Sequence, residues 1–143
     1  MDDDRRFIGR WRLVSWTAVY DDGRVEHPVG DRPRGFVMFG SDGWAAVQIQ
    51  ATDRPTMSGP DPFAAPASEQ ARAFATYLAY VARYEVGEDA LELAVELSLY
   101  PQWVGTTQVR RYLFDDGELV LRPPPVEIEG HLCTHELRWV REG

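Results

Sequence analysis

Three times in this chain a tight-turn signal stands between two short apolar or alternating runs: Asp21-Asp22-Gly23, Gly40-Ser41-Asp42-Gly43 and Asp115-Asp116-Gly117. Aspartate followed by glycine is hairpin chemistry, because glycine takes up the positive φ that such turns need. The runs predict strands over residues 10–20, 24–27, 35–39, 44–50, 80–86, 90–99, 106–114, 118–122 and 132–141. Helical periodicity occurs only over 68–78, where Ser68 can cap and Ala71, Phe74, Ala75 and Leu78 share a face. So many short strands need their edges covered, and closure of the sheet covers them best. The expected fold is all-β: one closed antiparallel barrel of about eight to ten strands with one short α-helix, as a single domain over 1–143. The aperiodic, Pro- and Ser-containing segment 51–66 is expected to form a lid or mouth.

Composition then removes several classes of function. With 143 residues, 44% hydrophobic and 27% charged, the chain can fill one core, and it has no run long enough to cross a bilayer. The start Met1-Asp2-Asp3-Asp4-Arg5-Arg6 lacks the apolar stretch of a secretory signal, so a cytoplasmic location is expected. A net charge of −8 with scattered arginines argues against nucleic acid and anionic membrane surfaces as partners. Cys133 is alone, which excludes an intrachain disulfide, and it reads as a buried apolar thiol. Every basic side chain is arginine, so no lysine is present for Schiff-base chemistry. With three histidines and no ligand spacing among them, no metal site is expected; with no glycine-rich phosphate loop, no nucleotide cofactor is expected either.

An eight-stranded ring leaves an interior that is filled by side chains or just holds one small ligand, so function turns on which residues point in. Residues two apart share a face. In the first strand Arg10 and Arg12 set the outer face, which turns Trp11, Leu13, Ser15 and Thr17 inward, with Trp11 as a plug at the base. In 90–99 the apolar set is Leu91, Leu93, Val95, Leu97 and Leu99, while Glu92 and Glu96 face water.

Gly9-Arg10-Trp11-Arg12-Leu13-Val14-Ser15, Asp22-Gly23-Arg24, the block Tyr100-Pro101-Gln102-Trp103-Val104-Gly105-Thr106 with Gln108 and Arg110-Arg111, and the closing Leu137-x-Trp139 together resemble a bacterial and fungal lipocalin-like domain family. The resemblance covers nearly the whole chain, and the Pro-x-Trp-x-Gly-Thr block is its most specific part. It implies a lipocalin-like, ligand-holding barrel of the kind found in secondary-metabolite contexts, where relatives include both plain carriers and cofactor-free cyclases. Many members carry a histidine in the strand before that block; here Leu93 and Ala94 stand there, so no role of that histidine carries over.

His135 shares a face with Leu137 and Trp139, which makes it the candidate general acid/base, or else a hydrogen-bonded core or rim histidine. Gln108, Arg110 and Tyr112 share another face. An internal Arg110 can bind a carboxylate or enolate oxygen; alternatively it packs over Trp11 at the closed end. Tyr84, on one face with Tyr80, completes the catalytic set of His135, Arg110 and Tyr84. Ligand contacts are assigned to Ser15, Phe39, Gln48, Tyr80, Trp103, Gln108 and Tyr112, although Gln48 and its neighbours can equally face water. Neither Ser15 nor Ser98 lies in a nucleophile turn, so a serine triad is unsupported. The expected activity is binding of a small apolar or polyketide-like molecule with cofactor-free cyclase, isomerase or dehydratase chemistry, or else carriage or sequestration of it, by a monomer or homodimer.

Overall fold

The structure, a computed structural model, describes residues 5–143; the acidic start at 1–4, part of the segment on which the no-signal reading rests, lies outside the described residues. Ten strands form one antiparallel sheet: β1 (Gly9–Tyr20), β2 (Val25–Glu26), β3 (Arg34–Phe39), β4 (Trp44–Gln50), β5 (Tyr77–Val86), β6 (Ala90–Ser98), β7 (Thr107–Asp115), β8 (Glu118–Arg122), β9 (Val126–Ile128) and β10 (His131–Arg141). Their order is β2-β1-β3-β4-β5-β6-β7-β8-β10-β9, and β1 also pairs with β10 from Trp11↔Arg141 to Tyr20↔Cys133. Eight strands therefore close into the barrel expected from the hairpin pattern. The short β2 and β9 extend the sheet beside the far halves of β1 and β10. The hairpin at Asp116-Gly117 has φ of 51° and 82°, the two positive values that a right-twisted two-residue turn requires.

The alternation of faces is interrupted twice. Leu13 pairs with Trp139 and Ser15 with Arg138, so Val14 is an extra residue, a β-bulge. Beyond it the faces exchange: Ser15 stands opposite the outward Arg138, and Trp16 stands opposite the inward Leu137. The expected inward set of Ser15 and Thr17 is therefore corrected to Trp16, Ala18 and Tyr20. In β6, Val81 pairs with Leu97 and Ala82 with Val95, which makes Glu96 the extra residue and turns Leu97 outward, 67% exposed.

The single helix, α1 (Ala67–Ala75), begins one residue before Ser68, which does not cap it. The Glu69 and Gln70 amides donate instead to the Pro66 carbonyl, each at 3.0 Å. It stops at Thr76, because Gln50↔Tyr77 and Ile49↔Leu78 continue the β4–β5 ladder and draw Leu78 into a strand. Helix α1 packs beside β5 with no buried residue, and neither it nor 51–66 lines the cavity inside the barrel, although Ala51 packs against the core. Among the described residues no helix is long and apolar enough to cross a membrane.

One end of the barrel is filled. Phe7 is 0% exposed and meets the rings of Phe39, Tyr112 and Phe114 at 5.5, 5.0 and 5.2 Å. The Trp11 indole donates to the Phe7 carbonyl at 2.8 Å, and the Arg141 guanidinium covers the Trp11 ring at 4.4 Å while donating to the Ile8 carbonyl. Gly9 is required at this end: its φ is 129°, and a Cβ there would lie 2.5 Å from the Gly143 carbonyl oxygen. Leu91, Leu93 and Val95 are buried on the inner face, each side chain contributing about 1.5–3 kcal/mol by leaving water.

Candidate functional site

Above the filled end the barrel holds a partly open cavity of about 400 Å³. That lies within the range of about 300–1,000 Å³ typical of small-molecule sites. Its walls are mostly aliphatic, including Val37, Val47, Ile49, Leu93, Leu121 and Leu137. Aromatic surface comes from Trp16, Phe39, Tyr80, Trp103 and Trp139, and the connection after β8 adds Pro123 and Pro124. The polar side chains are Tyr80, Gln108, Arg110 and His135. No aspartate or glutamate lines the cavity among the described residues.

The β7 face brings Gln108 and Arg110 inward. Arg110 Nη1 donates to the Val109 carbonyl at 2.9 Å, and the guanidinium lies 6.0 Å from the Trp103 ring centre. It makes no ion pair with a carboxylate among the described residues. The place over Trp11 that sequence allowed for Arg110 belongs to Arg141. Gln108 donates through Nε2 to the Thr106 hydroxyl at 2.9 Å. Trp103 stands in the 3₁₀ turn Pro101–Trp103, with its ring edge-on to Tyr80 at 5.6 Å and Tyr100 at 5.8 Å. Burial pushes the Tyr80 hydroxyl above its ordinary range, and the adjacent Arg110 charge opposes that rise.

His135 is half-buried on β10, which only β8 separates from β7. The Trp16 indole donates to its Nδ1 at 2.9 Å. An indole N–H can only donate, so Nδ1 accepts, the imidazole is neutral, and its proton sits on Nε2. Burial first, and the Arg110 charge second, hold its pKa below the ordinary value. The Cys133 sulfur lies 3.9 Å from Nε2, fully buried. In this state the Nε2–H faces the Cys133 sulfur, and the lone pair that a general base would use at Nδ1 is already engaged.

Deeper on the same face of β10, Trp139 is 1% exposed, and its sealed-in Nε1–H has no hydrogen-bond partner among the described residues. The structure thus brings together His135, Arg110, Phe39, Tyr80, Trp103 and Gln108 around one space. Four other assigned residues stand elsewhere. Ser15 is turned out by the bulge at Val14. Gln48 lies on the outer face, accepting from the Tyr77 hydroxyl at 2.6 Å, because Val47 and Ile49 hold the inner face of β4. Tyr84 belongs to the filled end, where its hydroxyl donates to the Gly40 carbonyl at 2.6 Å. Tyr112 packs against Phe7, and its hydroxyl is shared by the Gly87 and Glu88 carbonyls. Trp16 and Trp139 are the residues sequence reasoning passed over. The alternation that placed His135 inward also reached Trp139, whereas no local signal marked the bulge that turns Trp16 in.

A family model described as a lipocalin-like domain matches residues 8–142. No curated protein matches the chain. A solved structure, that of an uncharacterized protein from Bacteroides eggerthii DSM 20697, is similar at 14% identity over 92% of this chain and 98% of its own, with a TM-score of 0.40.

Proposed function

The chain belongs to the lipocalin-like domain family, and from that premise we propose that its barrel takes up one small, largely apolar molecule, wholly inside the ring, without a cofactor. The observation that carries this reading is the cavity itself: about 400 Å³ with mainly aliphatic and aromatic walls and a few polar groups directed into it. Transfer of an apolar molecule from water to such walls is favourable in proportion to the area removed from water, and the few polar groups fix its orientation.

A catalytic reading draws on a second observation. The Arg110 guanidinium lines the cavity with no carboxylate partner among the described residues, and a donor already in place favours negative charge developing on a substrate oxygen. Conversion would then be cyclisation or isomerisation, with most of the rate coming from holding the substrate in a reactive shape. A dehydratase needs a base at the site, and His135 Nδ1 is occupied by Trp16. A polyketide-like substrate suits such a cavity, and a carrier or sequestering role uses the same site without the chemistry.

The test is native mass spectrometry of the full chain after incubation with a metabolite extract of its host. A retained small molecule is the expected result. Its recovery with altered mass or retention time makes the protein an enzyme, and its recovery unchanged makes it a carrier. Absence of any retained molecule overturns the binding reading.

A further inference from the structure

Resting on that binding reading, we infer that the molecule is an organic acid, bound as its anion with the charged oxygens on Arg110 and the apolar body among the walls below. Three features of the cavity agree in sign. Arg110 presents a planar fork of donors to a largely apolar space, and no carboxylate of the protein is paired with it among the described residues. Such a fork pairs best with the two oxygens of a carboxylate, or with the oxygens of an enolised dicarbonyl.

The second feature is that His135 brings no free acceptor nitrogen to the space. The Trp16 hydrogen bond forces His135 into the form whose Nε2 carries the proton.

The third feature is the absence of opposite chemistry. No acidic side chain lines the cavity among the described residues, so an amine or other cation would find no counter-charge there and would face Arg110. The protein as a whole carries a net charge of −8, so this positive interior is a local property of β7. The cavity is therefore selective by sign. It excludes cations, and it favours an anion over a neutral molecule of the same shape.

Isothermal titration of the full chain at neutral pH with 2-naphthoate and with its neutral isostere 2-naphthamide tests the inference. The expected result is that the wild-type protein binds the naphthoate at least about tenfold more tightly, the size of effect that a hydrogen bond to a charged group provides. In Arg110→Gln the two affinities should come within about twofold of each other. Equal or reversed affinities in the wild-type protein overturn the organic-acid inference and leave the binding reading standing. Binding of neither compound overturns both, and a preference that survives Arg110→Gln overturns the assignment to Arg110. The wild-type comparison decides the ligand class even where the variant does not fold.

Discussion

The Trp16 indole donates to Nδ1 of His135 at 2.9 Å across the β1–β10 seam, and that one hydrogen bond determines which nitrogen of the imidazole carries the proton. Trp16→Phe keeps the ring and removes the donor. Imidazole ¹⁵N spectra should show a single Nε2–H form of His135 in the wild-type protein and a mixture of tautomers in the variant. A single Nε2–H form in both would mean that something other than Trp16 sets the proton.

Stability should fall on mild acidification because of the same histidine. Its folded-state pKa is held below the ordinary 6.5 by burial and then by Arg110 on β7, while Trp16 on β1 and the Cys133 thiol are its other close neighbours. The unfolded chain therefore binds this proton more readily. The stability from neutral His135 is complete above about 6.5 and is lost as pH falls from there towards the lowered folded value, below which no more is lost. Urea midpoints measured across that window should decline in the wild-type protein and decline less in His135→Gln. Identical slopes would show that His135 does not contribute.

The filled end should account for much of the barrel's stability. Phe7 is fully buried among three aromatic rings, and Trp11 bonds its carbonyl. Phe7→Ala should cost about 3–5 kcal/mol in urea unfolding with little change in the denaturant slope, as for other large aromatic deletions in cores. A loss under about 1 kcal/mol would mean that this end is loosely packed.

Occupying the cavity from the protein side should abolish binding without unfolding the barrel. Leu93 lines the cavity, and Glu92 beside it faces water. Leu93→Trp should weaken 2-naphthoate binding at least about tenfold at a stability change of about 1–3 kcal/mol, whereas Glu92→Trp should leave affinity unchanged. Equal effects of the two substitutions, or none from either, would place the ligand elsewhere.

Closure of the sheet was legible because hairpin turns and strand alternation are local. The faces were legible only as far as the pairing stayed regular. In β1 the reading holds through the bulge residue Val14 and fails from Ser15; in β6 it holds through Glu96, which faces water as expected, and fails from Leu97. A bulge depends on how two distant strands accommodate each other's twist, and nothing in Leu13-Val14-Ser15 states it. Spacing alone therefore points Ser15, and not Trp16, at the ligand. The helix overran for a related reason: the spacing of Phe74 and Leu78 suits a helix, yet the ladder to Ile49 takes Leu78. Strand β9, three residues beyond Pro123-Pro124-Pro125, is too short to carry a period. His135 could be placed inward from Leu137 and Trp139, because β10 alternates without interruption, whereas the spacing in β7 groups Arg110 with Gln108 and Tyr112 without stating which face points in.

The seam between β1 and β10 also dictates an order of events during synthesis. Strand β1 finds β3 early, but its other partner is the last strand of the barrel to be made. Until β10 arrives, one side of β1 and one side of β8 stay open as unpaired edges, and such edges are templates for wrong pairing between chains. A nascent or truncated chain ending before His131 should therefore be sticky in a way that the finished ring is not.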